Sequence, residues 1–166
     1  MNRTSPDIAD SEGIWRPDVT VATIVPRAGR FLLVEETVRG ELVLNQPAGH
    51  LESGESLHAA ACRETLEETG WRVELTGLVG VYQWTPSGTD SHFVRFTFAA
   101  RPLGHDPGRP LDAGIVRALW LSRDEVAQQQ ARLRSPMVLR GIDDYLAGRQ
   151  LPLEAVVSLS CAGEPS

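Results

Sequence analysis

Cysteine is scarce in this chain of 166 residues, which holds only Cys62 and Cys161. They stand far apart and form no C-x-x-C pair, which excludes a disulfide framework and a cysteine zinc site and fits a reducing cytoplasm. Cys62 sits in an alanine-rich stretch and is expected to be a small buried residue. No apolar run approaches the ~20 residues a membrane span needs. The opening residues, MNRTSPDIADSEG, carry acidic groups and no apolar stretch, so no signal peptide is expected. A basic excess is missing as well: 16 Lys and Arg face 22 Asp and Glu, a net charge of -6. With a pI near 5.2, that argues against nonspecific nucleic-acid binding, which needs a basic face. Internal repeats and low-complexity segments are absent.

What is present suits one globular domain: 42% of the residues are hydrophobic, enough for a real core. The domain is expected over residues 17–160, with flexible tails at 1–16 and 161–166. DVTVATIVPR alternates β-branched residues, AG turns the chain, and RFLLVEE follows, which reads as a strand, a tight turn and a second strand. ELVLNQ reads as a third strand. PAGHLESGE carries Pro47, Gly49 and Gly54 and is expected to be a loop. A helix is predicted from Ser56 to Thr69, stopped by Gly70. VELTGLVGVYQW and HFVRFTFAA are strand-like. In the latter, Val94, Phe96 and Phe98 alternate onto one face and leave Phe93, Arg95 and Thr97 on the other. RPLGHDPGRPLDAG reads as a long loop, a length often functional, and IVRALWL as a strand. Ser122 and Glu125 form a capping box for a helix. Ser135 as N-cap and Pro136 at the first position open another, with Val138, Ile142 and Tyr145 as its buried stripe. This mixed order predicts an α/β fold, a sheet with antiparallel pairs flanked by helices.

The predicted helix of residues 56–69 places Glu64, Glu67 and Glu68 within an arc of roughly 100°. Like charges so placed destabilise a helix by roughly 0.2–0.5 kcal/mol per pair. A divalent cation is the obvious compensation, and a solvated acidic face is the plain alternative. The surroundings decide between them. Gly49, Glu55, Arg63, Glu64, Glu67, Glu68 and Gly70 follow the spacing G-x5-E-x7-R-E-U-x-E-E-x-G-U. Seven specified residues at roughly 7% each give a chance match on the order of 10⁻⁸ per window. On these residues the chain resembles the Nudix hydrolases. The two apolar positions, U, hold Thr65 and Trp71, where that family usually has an aliphatic residue. FLLVEET, NQPAGHLE, YQW, VRFTF, LRSPMV and LPLE, over roughly residues 18 to 156, extend the resemblance to the branch called phosphatase NudJ.

The resemblance implies an α/β/α sandwich and an enzyme acting on a small-molecule diphosphate through Mg²⁺, with Mn²⁺ as a substitute. An oxygen-only, carboxylate-rich site suits those ions. It implies Glu67 and Glu68 as main metal ligands, with Glu64 ligating or placing the activated water. The Gly49 carbonyl would add a ligand, and Glu55 with Arg63 an ion pair that fixes the loop against the helix. The NudJ-like branch implies action on nucleoside di- and triphosphates and on thiamine-related diphosphates. A different diphosphate, of the ADP-ribose or dinucleotide type, and a non-catalytic sensing module are the alternatives. The intact acidic set argues against a sensing module.

Outside the motif, His50 reads equally as a phosphate contact and as a hydrogen-bonding spacer. Arg95 reads as a bidentate phosphate ligand or as a structural ion pair. Gln83 and Trp84 could stack on and hydrogen-bond a heterocycle, or Trp84 could be core or rim. Asp112 is a candidate base in the long loop, while His58 and His105 read as exposed bystanders. Neither a nucleic acid nor a membrane is expected as a partner, and monomer and homodimer stay open.

Overall fold

The computed structural model describes residues 15–159. The expected tails and Cys161 therefore lie outside the described residues, apart from Trp15 and Arg16. Strand β1 (Asp18–Ile24) does not continue into the expected hairpin. It ends at Val25, and a two-residue strand β2 (Pro26–Arg27) pairs with β3 (Arg30–Val38) in a different sheet. Pro26 has no N–H to donate to a continuing ladder, which makes it a natural point to leave one sheet for another. The turn into β3 holds Ala28 and Gly29 at φ 49° and 74°, as a two-residue hairpin turn that matches strand twist requires. Strand β4 (Glu41–Asn45) follows as expected.

The first part of the expected Pro/Gly loop is itself paired. Strand β5 (Ala48–His50) runs antiparallel to β1, with Gly49 opposite Val21. Three residues carry no readable period, and the free edge of β1 dictates the pairing. Helix α1 spans Leu57–Thr69, with Ser56 Oγ accepting from Ala59 N at 3.1 Å and Gly70 closing it at φ 69°. Strand β6 (Trp71–Trp84) pairs antiparallel with β7 (Phe93–His105), with register shifts beside Gly77 and Gly80 that bend the long ribbon. The residues RPLGH thus extend β7 and shorten the expected long loop to residues 106–114. Strand β8 (Ile115–Ser122), helix α2 (Arg123–Gln128) with its capping box, and helix α3 (Met137–Leu146) complete the chain.

Ser135 is not the side-chain cap expected for α3. Pro136, at φ -63° and ψ -18°, is the residue before the helix and no side chain caps it; the Ser135 hydroxyl has no hydrogen-bond partner among the described residues.

One sheet has the order β5-β1-β7-β6, with β1 and β7 parallel; the other joins β2, β3, β4 and β8. Two cores flank them. On one side Ala60 and Ala61 of α1 pack with Val21, Leu32, Leu75 and Phe98. On the other, Val126, Val138 and Ile142 of α2 and α3 pack with Ile24, Leu33 and Val79. The result is the α/β/α sandwich with mixed sheet pairing. No helix among the described residues is long and apolar enough to cross a membrane.

Candidate active site

Helix α1 brings its acidic face against β5 and the loop after β7. Arg63 is the organiser. It grips Glu55 through Nε and Nη2, at 3.0 and 2.6 Å, and donates to the His50 carbonyl at 3.2 Å. Its Nη1 reaches Glu64 at 2.8 Å and Glu67 at 3.0 Å. Part of the compensation for crowded carboxylates therefore comes from inside the chain. The bidentate hydrogen bond from Arg63 holds the Glu55 carboxyl below its usual range, and the Arg63 guanidinium is raised in return, chiefly by Glu55.

Glu64 and Glu68 are pushed the other way. Burial raises Glu64, against the hydrogen bond from Arg63, with Glu67 and Asp112 adding repulsion. Burial raises Glu68 to about 8, opposed by the N–H of Ala48, which donates to its Oε2 at 2.9 Å. An acidic group whose burial favours the protonated form is one that a cation would ionise.

The grouping of possible ligand atoms differs from the expected one. Oxygens of Glu64, Glu67 and Asp112 lie within 4.8 Å of one another. Glu68 is outside that trio, although it lines the same cleft as Glu64, Gly49 and His50. Asp112, read from sequence only as a candidate base, is tied in by its own N–H, which donates to the Glu67 carbonyl at 3.1 Å. Gly49 is required by contact: a Cβ there would sit 2.1 Å from Glu64 Cδ. Three carboxylates converging beside a residue that admits no side chain fit a hard divalent cation.

The cleft measures about 420 Å³ and is lined also by Thr20, Asn45, Trp84, Phe93, Arg95 and Ser135. Trp84 stacks on Phe93 with ring centroids 5.7 Å apart, so it stands at the cleft wall. Gln83 is exposed and does not line this cleft; it borders a neighbouring hollow between β6 and α3 that Trp84 also lines. Arg95 lies buried in the cleft, and desolvation lowers its guanidinium to about 10. His50 is exposed at the mouth, its carbonyl taken by Arg63.

Several residues stand apart from this site. His58 is half-buried against Phe98, with Nε2 3.3 Å from the Leu153 carbonyl, and is no exposed bystander. His105 is exposed but stacks on Trp71 at 4.6 Å. Cys62 is only half-buried, and burial raises its thiol. Thr20, Glu36, Asn45 and Ser135 also belong to the cleft; the last three lie in the stretches FLLVEET, NQPAGHLE and LRSPMV, but no spacing within any one stretch marks them as parts of one site.

The fold presents an acidic cluster that could hold a divalent cation, and the family match gives the class as a hydrolase of diphosphates. A model of the NUDIX domain matches residues 15–140, and the chain belongs to the Nudix family. It is 42% identical over 144 residues to phosphatase NudJ of Escherichia coli K12, covering 86% of this chain and 92% of that protein. It is also similar to a solved NUDIX hydrolase from Nitrosomonas europaea, with 46% identity and a TM-score of 0.85 over 87% of this chain and 98% of that one. A UDP-X diphosphatase structure, 16% identical with a TM-score of 0.68 over 87% of this chain and 70% of its own, shares the fold. The chain is an enzyme of the NudJ-like branch, a Nudix hydrolase of diphosphates.

Proposed function

We propose that this enzyme is a Mg²⁺-dependent phosphatase of nucleoside di- and triphosphates and of thiamine-related diphosphates, hydroxymethylpyrimidine diphosphate and thiamine diphosphate among them. The observation that carries this reading is the convergence of Glu64, Glu67 and Asp112 within 4.8 Å, beside the Gly49 and Glu68 of the same cleft. The similarity to phosphatase NudJ supports a phosphatase rather than a dinucleotide hydrolase.

A bound Mg²⁺ or Mn²⁺ supplies charge to offset the phosphate oxygens and acidifies a water. The chain's own residues do the rest. Glu64, Glu67 and Asp112 would hold the ion, with Glu68 and the Gly49 carbonyl of the same cleft as further oxygen ligands. Arg63 aligns Glu64 and Glu67 and pins the loop through Glu55 and the His50 carbonyl. Trp84, stacked on Phe93, offers a flat face to a heterocycle without reading its edge, which favours a permissive enzyme. The chemistry suits a cytoplasmic enzyme whose partner is the small-molecule substrate.

The test is phosphate release from a panel of nucleoside di- and triphosphates, thiamine diphosphate and ADP-ribose, with and without Mg²⁺. Several of the first group should be hydrolysed only with the ion, and Glu68→Gln should cut turnover by about 10²-fold or more. A preference of several hundredfold for ADP-ribose would overturn the substrate assignment. Undiminished turnover in chelator would overturn the metal assignment.

A further inference from the structure

Four buried side-chain atoms have no hydrogen-bond partner among the described residues: Thr20 Oγ1, Gln46 Oε1, Arg95 Nε and Ser135 Oγ. Thr20, Arg95 and Ser135 all line the catalytic cleft. Native proteins rarely leave buried polar atoms unmatched, so three lining one cleft mark a place that something else completes.

Arg95 is the centre of this group. It is 6% exposed, yet among the described residues it forms no ion pair. Its side-chain partner is the neutral Asn45 Oδ1, at a long 3.4 Å. Of the two carboxylates whose charge reaches it, Glu36 and Glu68, Glu36 accepts from Asn45 Nδ2 at 3.2 Å and lies 3.8 Å from Arg134, and Glu68 accepts from Ala48 N. A structural arginine in such a position would carry a carboxylate, because a desolvated, uncompensated cation is costly. Thr20 faces Arg95 as its register partner across the parallel β1–β7 pair, and Ser135 arrives from the segment before α3. Both hydroxyls can donate, as can the free guanidinium N–H groups. A buried cation flanked by two hydroxyls free to donate complements an acceptor-only anion such as phosphate.

We propose that Arg95, Thr20 and Ser135 form a fixed phosphate subsite in the cleft, built from the protein's own donors and independent of the cation. It rests on the reading of the substrate as a diphosphate and adds a second, protein-borne anchor for it. The Arg95 fork holds non-bridging oxygens bidentately; the two hydroxyls complete the cradle. Substrates then differ in affinity by what they place on this anchor, and inorganic phosphate released by the reaction competes for it.

The experiment uses the full chain in chelator, with inorganic phosphate and pyrophosphate as probes, by titration calorimetry and thermal melting. Wild type should bind both without metal. Arg95→Met should weaken binding about ten- to hundredfold, the loss of a charge-assisted hydrogen bond. Arg95→Lys should recover part of it, because the charge stays and the fork goes. Ser135→Ala and Thr20→Val should each weaken it several-fold, while Glu67→Gln should not. Without phosphate, Arg95→Met should melt no lower than wild type, which a structural arginine would not allow. Turnover of the metal-loaded enzyme should show a raised KM for diphosphates. Failure of metal-free wild type to bind either probe, or equal binding by Arg95→Met, overturns the subsite. So does an Arg95-dependent response to a free nucleoside and not to phosphate, which would make it a heterocycle-reading site. Should Arg95→Met not fold, unchanged phosphate binding in both Ser135→Ala and Thr20→Val overturns it equally. These arms need neither metal nor turnover, so their failure leaves diphosphate hydrolysis standing.

Discussion

Gly49 shows how much one missing side chain can govern. A Cβ at this position would fall 2.1 Å from the Glu64 carboxyl carbon, and that carboxyl is the free end of a flexible chain. Gly49→Ala should therefore displace the ligand and spare the sheet, lowering kcat by about 10²-fold. Steady-state kinetics beside a thermal melt checks it, and a melt lowered as far as activity would show a folding defect instead. The motif glycine and acids were legible in sequence because their spacing is specific. Arg95 was legible as a candidate phosphate ligand, although alternation placed it opposite Val94, Phe96 and Phe98 without telling that its own face is buried too. Gln83 and Trp84 were read as one platform; both border the hollow between β6 and α3, and of the two Trp84 also lines the catalytic cleft.

At the scale of elements, helix α1 and the loop before it act as a unit held by Arg63. Arg63→Ala removes four partners, the carboxylates of Glu55, Glu64 and Glu67 and the carbonyl of His50. Activity should fall, and amide exchange over residues 49–55 should accelerate, with no ligand removed. Unchanged exchange there would show that the loop holds its shape unaided. The helix itself was legible end to end, because Ser56 and Gly70 are strong local signals. Strand β5 and the break at Val25 were not. Their cause is a partner strand distant in sequence, and no local pattern encodes it.

For the whole molecule, the buried acids couple folding to pH. Glu68 is raised to about 8 by burial, and Glu64 is raised for the same cause. The folded state then holds protons that the unfolded chain releases near its ordinary carboxylate range. Their contribution to stability is complete below that range and is lost as pH rises through the folded value. The metal-free protein should melt lower at pH 9 than at pH 6. Glu68→Gln should flatten that slope, and saturating Mg²⁺ should raise the melting temperature and remove the slope, because the ion binds only the folded cluster. Scanning fluorimetry across pH, with and without chelator, measures all three. Composition was enough to set the class of molecule; the division into two sheets and two cores depends on long-range pairing that composition does not carry.

The departure at Thr65, an apolar position in the family pattern, has its reason in the core. Thr65 is fully buried, gives its proton to the Ala61 carbonyl at 2.7 Å, and lies 2.7 Å from Thr23 Oγ1 on β1. With the Thr65 proton committed, Thr23 must be the donor of the pair. Lineages drifting toward the usual aliphatic residue thus face a one-way order of steps. Losing Thr23 first strands only an acceptor that already makes one bond. Losing Thr65 first leaves a buried hydroxyl with nowhere to donate, at about 1–3 kcal/mol. Ancestral reconstructions that pass from threonine to aliphatic at this helix position should change the strand position earlier, and Thr65→Val should melt well below both Thr23→Val and the double variant.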